Sequence, residues 1–315
     1  MLNSEGFAKN LHRISTADGH LIGVRRWPLP TTQTAKAVIH ILHGMAEHSA
    51  RYHDLAQQLN HAGFIVVAHD HRGHGASITD TETQGHFADD HGWKKVIDDV
   101  KEVHDWVHAI HPDKPIALLG HSMGSFIAQS YAIAYPNLLA GMILCGSSLI
   151  PMTLLRSLYW LSRIEAVRIG PRSANRAVHY LTFEQYNRHF KPNRTSCDWL
   201  SRDTQQVDAY VADPHCGFIC TNQLWIDLAE ELLQLYRFSV HARLPKNIPY
   251  YLIAGSQDPV GNFSKQFSSL GRRLKKIGIK NLTTHLYPDA RHELFNETCR
   301  DQVIGHLIQW LDTHL

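Results

Sequence analysis

Ser122 stands between two glycines, in Gly120-His121-Ser122-Met123-Gly124. A neutral serine hydroxyl attacks a carbonyl only when a base takes its proton and oriented donors receive the resulting oxyanion. The apolar run Ile116–Leu119 precedes the motif and helix-forming residues follow it. Gly-x-Ser-x-Gly therefore falls at a strand-to-helix turn, where the serine takes a strained backbone and its neighbours must be small. The turn lifts the hydroxyl clear of the sheet. It also aims the N–H of Met123, at the helix start, toward an anion. The same five residues also form ordinary strand-to-helix turns, so their weight depends on what stands at the other strand ends.

Two further strand ends carry what a serine needs. After the run Tyr250–Ala254 comes "GSQDP", with Asp258; after Leu282–Tyr287 comes "PDARHELFNE", with His292. Ser…Asp…His is the chain order of a triad built on an open, mostly parallel sheet. His292 is the expected base, and Asp258 would hold its tautomer and stabilise the imidazolium. Asp289 and Glu293 flank His292 and compete for that second role, but an orienting carboxylate should come from a neighbouring strand end. After Ala37–Leu42 comes "HGMAEHSARY", residues 43–52. The N–H of Met45 is the expected second oxyanion donor beside that of Met123. His43 and Gly44 shape the loop, and Glu47, His48 and Arg51 are expected to brace it. After Phe64–Ala68 comes "HDHRGHGAS", whose Asp70, Arg72, Gly73, His74 and Gly75 form a polar turn. It lacks a P-loop pattern and reads as a further brace.

These loops need a scaffold. Apolar runs at 37–42, 64–68, 116–119, 141–145, 250–254 and 282–287 alternate with helical patterns at 52–61, 93–110, 125–134, 223–236, 263–277 and 297–311. In the last, Val303, Leu307, Trp310 and Leu311 share one face. Residues 10–27 read as a hairpin around an Asp-Gly turn. The expected fold is α/β, a mostly parallel sheet with helices on both faces. The alternation breaks between about residues 147 and 221, so 1–148 and 221–315 form the expected core and 149–220 an inserted, largely helical cap.

With 31 basic and 29 acidic side chains the formal charge is +2, so no nucleic-acid partner is expected. No signal-like run opens the chain and no long apolar segment follows, which points to a cytoplasmic protein. The five cysteines form no repeating pattern, as in reduced proteins. Cys216 and Cys220 could make half a metal site, and "HGMAEH" lacks zinc spacing; no metal and no cofactor are expected.

Taken together, these stretches resemble the serine α/β-hydrolases of the monoacylglycerol lipase and lysophospholipase group. "HGMAEHSARY" resembles that family's His-Gly-x-x-Glu-His-Ser-x-Arg-Tyr, "DHRGHGAS" its Asp-x-Arg-Gly-His-Gly-x-Ser, and "GHSMGS" its nucleophile elbow, where a final glycine is commoner than Ser125. "LSRDTQQVDAYVADP", residues 200–214, is similar to the end of the family's cap. The resemblance implies Ser122, Asp258 and His292 as the triad, Met45 and Met123 as oxyanion donors, and Tyr210 as a contact for a polar substrate head. It implies a cofactor-free enzyme cleaving fatty-acyl esters of monoacylglycerols or lysophospholipids. Residues 149–199 depart from the family pattern.

The cap opens with the apolar "LIPMTLLRSLYWL", and residues 149–176 hold Arg156, Arg163, Arg168, Arg172 and Arg176 against Glu165. This mixture suits either peripheral docking on an anionic membrane or a lid with a solvated basic face. An acyl tunnel is expected beneath it. Two rivals stay open. A proline-type aminopeptidase would use cap carboxylates such as Asp203, Asp208 and Asp213 to hold an ammonium. A non-catalytic binding module would keep the fold without the reaction.

Overall fold

The computed structural model describes residues 10–79 and 84–315. Residues 1–9, part of the stretch read for a signal, lie outside the described residues.

Strands β1 (Leu11–Ser15), β2 (Leu21–Trp27), β3 (Val38–Leu42), β4 (Ile65–His69), β5 (Ile116–His121), β6 (Gly141–Cys145), β7 (Tyr250–Gly255) and β8 (Leu282–Tyr287) form one sheet in the order β1-β2-β4-β3-β5-β6-β7-β8. The β1–β2 hairpin and the β2–β4 pair are antiparallel, and every pair from β4 to β8 is parallel. Strands β3 to β7 are buried at every position. Such strands need helices on both faces. On one face, Ile39 and Ile41 meet Leu55 and Leu59 of α1 (His53–His61) and the last helix, α11 (Arg300–His314). That helix buries Val303, Leu307, Trp310 and Leu311, the stripe its periodicity predicts. The opposite face is covered by α2 (Gly92–Ile110), α3 (Met123–Ala134), α8 (Asn222–Leu235) and α10 (Lys265–Lys276), with the short α9 (Phe238–His241) between the last two.

β8 departs from expectation. Its apolar run suggests a buried strand, yet only Tyr287 is buried. The strand lies at the sheet edge with β7 as its one neighbour, so Thr283 and Thr284 face solvent.

Between β6 and α8 lie α4 (Met152–Ile169), α5 (Arg176–His179), a π-helical turn at Tyr180–Glu184, α6 (Gln185–Arg188) and α7 (Thr204–Ala212). α4 follows Pro151 and stops at Gly170, whose φ of 98° suits glycine. The Asp203 carboxylate caps α7 by accepting from the N–H of Gln205 and Gln206. Among the described residues a single bridge, Ala174 to Thr221, is the only β pairing of this segment. Because β3, β5, β7 and β8 run parallel, the loops after them open on one edge of the sheet.

Candidate active site

Ser122 has φ 51° and ψ −119°, a conformation costly for any residue with a side chain. Its N–H donates to the Cys145 carbonyl at 2.9 Å and its carbonyl accepts from the Ser125 N–H at 2.9 Å. The flanking glycines serve close approach rather than positive φ, which neither has. A Cβ on Gly124 would strike the Leu42 carbonyl oxygen and sit 2.6 Å from that of His43. A Cβ on Gly120 would sit 2.6 Å from the Ser125 Cα. Thus the strain falls on the serine, and the glycines let α3 start hard against the end of β3.

His292 Nδ1 lies 2.9 Å from Asp258 Oδ2, and both side chains are buried. The carboxylate fixes the proton on Nδ1 and leaves Nε2 as the acceptor. Asp258 Oδ1 accepts from the Val260 N–H at 2.9 Å, which holds the carboxylate in place. The competing carboxylates are engaged elsewhere: Glu293 pairs with Arg51, while Asp289, at φ 58°, sits in the turn after β8. The sequence reading missed Gly146. Its φ is 60°, and a Cβ there would come within 3.1 Å of the His292 ring.

The loop after β3 reaches the same place. Gly44, Met45, Ser122, Met123 and His292 line one cavity. Among the described residues, neither the Met45 nor the Met123 N–H has an acceptor, so both remain available to an anion. Glu47 organises this loop. Its Oε1 accepts from the Gly44 N–H at 2.6 Å and the Tyr52 hydroxyl at 2.9 Å, and it lies 2.9 Å from His121 Nδ1. Its Oε2 accepts from Arg51 at 2.7 Å, and Arg51 donates twice more to Glu293 at 2.6 Å. One buried ionic network therefore ties the loop after β3 to the residues beside both Ser122 and His292. Burial opposes charge on Glu47, but the His121 hydrogen bond and the Arg51 guanidinium hold it well below the usual carboxylate range. Burial likewise opposes charge on His121, and Glu47 lifts it above the ordinary value. The turn after β4 braces in the same way. Asp70 accepts from the N–H groups of Ser49 and Ala76, and Arg72 clamps Asp99 through two bonds of 2.6 and 2.7 Å.

Tyr210 also lines the cavity, but its hydroxyl donates to the Ala46 carbonyl at 3.0 Å. The Arg51 guanidinium lies 4.7 Å over its ring. The same carbonyl accepts from the Gly217 N–H at 2.9 Å, so the segment before α8 grips the loop after β3. The cavity measures about 560 Å³. Its far walls are apolar: Leu154, Leu158 and Leu161 of α4, Leu181 and Phe183, and Trp225, Leu228, Ala229 and Leu232 of α8. The α8 wall was missed by the sequence reading, which looked only beneath residues 149–220. Its signal was present, since 225, 228, 229 and 232 form a second helical stripe beside the one that packs on the sheet. Cys216 and Cys220 do not converge on one site: Cys220 is buried against Gly85, whereas Cys216 lies near His48 and Asp213.

Comparison with known proteins gives the chain relatives in sequence and in fold. The family profile described as "Serine aminopeptidase, S33" matches residues 33–299. The chain is 32% identical to the monoglyceride lipase of Homo sapiens over 92% of this chain and 85% of that one. It is 28% identical to the monoacylglycerol lipase of Mycolicibacterium smegmatis over 89% of each chain. Among solved structures, a thermostable carboxyl esterase from Bacillus coagulans in complex with glycerol superposes with a TM-score of 0.88 at 26% identity, covering 96% of this chain and 98% of that one. The chain belongs to the α/β-hydrolase family that takes in the S33 serine aminopeptidases and the monoglyceride lipases.

Proposed function

We propose that the protein is a serine carboxylic-ester hydrolase acting on monoacylglycerols through an acyl-enzyme on Ser122. The observation that carries this reading is the Asp258–His292 pair facing the same cavity as Ser122, with two free N–H groups beside it and apolar walls beyond. His292 takes the Ser122 proton as the hydroxyl attacks the ester carbonyl, while Asp258 stabilises the imidazolium. The N–H groups of Met45 and Met123 receive the oxyanion. His292 then protonates the departing alcohol, and water cleaves the acyl-enzyme by the same route.

The catalytic end of the cavity favours a neutral head over a phosphodiester. Glu47 and Glu293 both line it, and Arg51, the cation between them, is already shared by the two. A lysophospholipid phosphate would meet carboxylates without a free counter-charge. In this reading Tyr210 contacts the head group and positions the Ala46 loop. Among the described residues lining the cavity, the aminopeptidase alternative finds no free carboxylate for a substrate ammonium. Asp203 pairs with Arg300, Asp208 with Arg194 and Asp213 with His48, and none of the three lines the cavity.

Residues 149–220 act as the inserted cap on a core made of 1–148 and 221–315. The outer face of α4 exposes Trp160, Ile164 and Val167, at 62, 60 and 89%, beside Arg156 and Arg163. Such a surface docks peripherally on an anionic bilayer, where acylglycerols reside. Among the described residues no helix is long and apolar enough to cross a membrane.

A fluorophosphonate probe tests the core of this reading. It should label the wild type and not Ser122→Ala, which should also lose ester hydrolysis. A folded wild type that is unlabelled and inert on every ester would overturn it in favour of a binding module. Rates on monoacylglycerol, lysophosphatidylcholine and a proline anilide then fix the substrate class. Anilide cleavage without ester cleavage would reverse the assignment.

A further inference from the structure

His48, Asp213 and Cys216 converge outside the catalytic cavity, where the loop after β3 meets the turn that follows α7. One ligand atom from each lies within 4.8 Å of the other two. His48 Nε2 is 2.8 Å from Asp213 Oδ2, and His48 is buried while the other two are half-buried. The turn Asp213-Pro214-His215-Cys216 is held by its own bonds. Cys216 N–H donates to the Asp213 carbonyl at 3.0 Å, and His215 N–H to Asp213 Oδ1 at 2.8 Å. The second carboxylate oxygen is thereby left toward His48 and Cys216. The three groups come from two separate segments, so a shared ligand would cross-link them.

We propose that His48, Asp213 and Cys216 form a binding site for a zinc ion that clamps this turn to the oxyanion loop. An imidazole, a carboxylate and a thiol are the donor types zinc accepts together, in tetrahedral geometry. Bonds of about 2.0–2.3 Å put tetrahedral donors roughly 3.3–3.6 Å apart. The His48–Asp213 pair must open by about half an ångström and the thiol approach by about one, which a rotation of the Cys216 side chain supplies. A water molecule, or the exposed imidazole of His215, whose ring centre lies 6.0 Å from that of His48, completes the set. Burial pushes the Cys216 thiol up, against the pull of Arg51, so the free site holds a thiol proton. Zinc displaces that proton to solvent and takes the thiolate. Opening the His48–Asp213 pair shifts the loop that carries Met45, because Ala46 is held by Tyr210 and Gly217 from the other side. Occupancy therefore slows ester turnover.

Cobalt(II) is the direct probe, since a thiolate ligand gives a charge-transfer band that a histidine–carboxylate site lacks. The band should appear with the wild type and with Cys197→Ser, vanish in Cys216→Ser, and be displaced by zinc. In Asp213→Asn, cobalt affinity should fall by at least the roughly tenfold cost of losing an outer-shell partner. No band in the wild type, or a band that survives Cys216→Ser, overturns the site; unchanged affinity in Asp213→Asn removes Asp213 from it. Zinc should slow ester hydrolysis by the wild type and not by Cys216→Ser, whose zinc-free rate matches the wild type. The spectral readout holds whether or not the esterase reading does.

Discussion

Two helices that follow neighbouring strands bracket what this molecule asks of its parts. α3 follows β5, and 11 of its 12 residues are buried; α4 lies beyond β6, and of its 18 residues only Leu155 and Ser162 are buried. The first must hold Ser122 in a strained turn, so it is locked on every side. The second turns Leu154, Leu158 and Leu161 to the cavity and Trp160, Ile164 and Val167 to solvent. Chemistry that needs fixed atoms sits in the buried helix and the loops around it. In the proposed reading, contact with a long apolar substrate falls to the exposed one. Variants in the two regions should therefore differ in kind: changes around α3 alter turnover on any ester, and changes on the solvent face of α4 matter only when the substrate lies in a membrane.

The largest expected effect is on the orienting carboxylate. Asp258→Asn keeps the shape but loses the bond that fixes the His292 tautomer. Turnover of a short soluble ester should fall by about 10⁴, the cost of the equivalent change in serine proteases. Near-normal turnover would mean that another carboxylate orients His292.

Next comes the brace. Arg51 is the cation between Glu47 and Glu293; both carboxylates are buried, and the guanidinium is only 10% exposed. Arg51→Leu leaves two carboxylates facing each other, and removing one partner of a buried pair costs about 3–5 kcal/mol. A urea-unfolding midpoint should show that loss, together with a drop in turnover. Arg163→Leu on exposed α4 should move the midpoint by no more than about 0.5 kcal/mol. Equal effects would erase the distinction between the two regions.

How much of this was legible in the sequence follows from the range of the forces. Hydrophobic periodicity acts locally, so strands 37–42 to 250–254, the hairpin and the apolar face of α11 could be read along the chain. The order of Ser122, Asp258 and His292 became a site only because parallel strands end on one edge, a rule of topology rather than of local sequence. The Arg51–Glu293 bond joins residues 242 positions apart, and no spacing rule reaches so far. Gly146 could not be distinguished from any other glycine, since its role is set by the His292 ring that the fold brings against it. β8 misled because periodicity shows which residues are apolar, not whether a strand has a second neighbour.

A smaller effect separates the regions by pH. β3 buries His40 inside a chain of imidazoles: His40 Nε2 lies 2.9 Å from His69 Nδ1, and His69 Nε2 lies 3.1 Å from His71 Nδ1. Burial, and then the nearby His104, pulls His40 down to about 3, while the unfolded value stays near 6.5. The unfolded chain thus binds a proton that the fold refuses. This share of stability is complete above pH 6.5 and is lost as pH falls below it, at about 1.4 kcal/mol per pH unit. By pH 4.5 the loss from His40 alone reaches about 2–3 kcal/mol. His40→Gln should flatten the stability–pH slope between pH 4.5 and 6.5 by about one proton, measured from urea midpoints at each pH. An unchanged slope in His40→Gln would mean that His40 is not held neutral.

The smallest effect tests the cap alone. Trp160→Ser with Val167→Ser removes the two most exposed large apolar side chains of α4 and touches neither the cavity nor the brace. Hydrolysis of a soluble short-chain ester should be unchanged. Co-sedimentation with anionic vesicles should weaken by about tenfold or more, since the removed apolar area contributes at least about 1.4 kcal/mol when buried in the interface. Turnover of a monoacylglycerol presented in those vesicles should fall in parallel. If soluble turnover fell instead, α4 would belong with α3 among the parts that hold the reacting atoms. If vesicle binding held, the exposed face would be a solvated lid surface and the membrane contact would lie elsewhere. Either result would redraw the division between a buried half that fixes geometry and an exposed half that meets the substrate's surroundings.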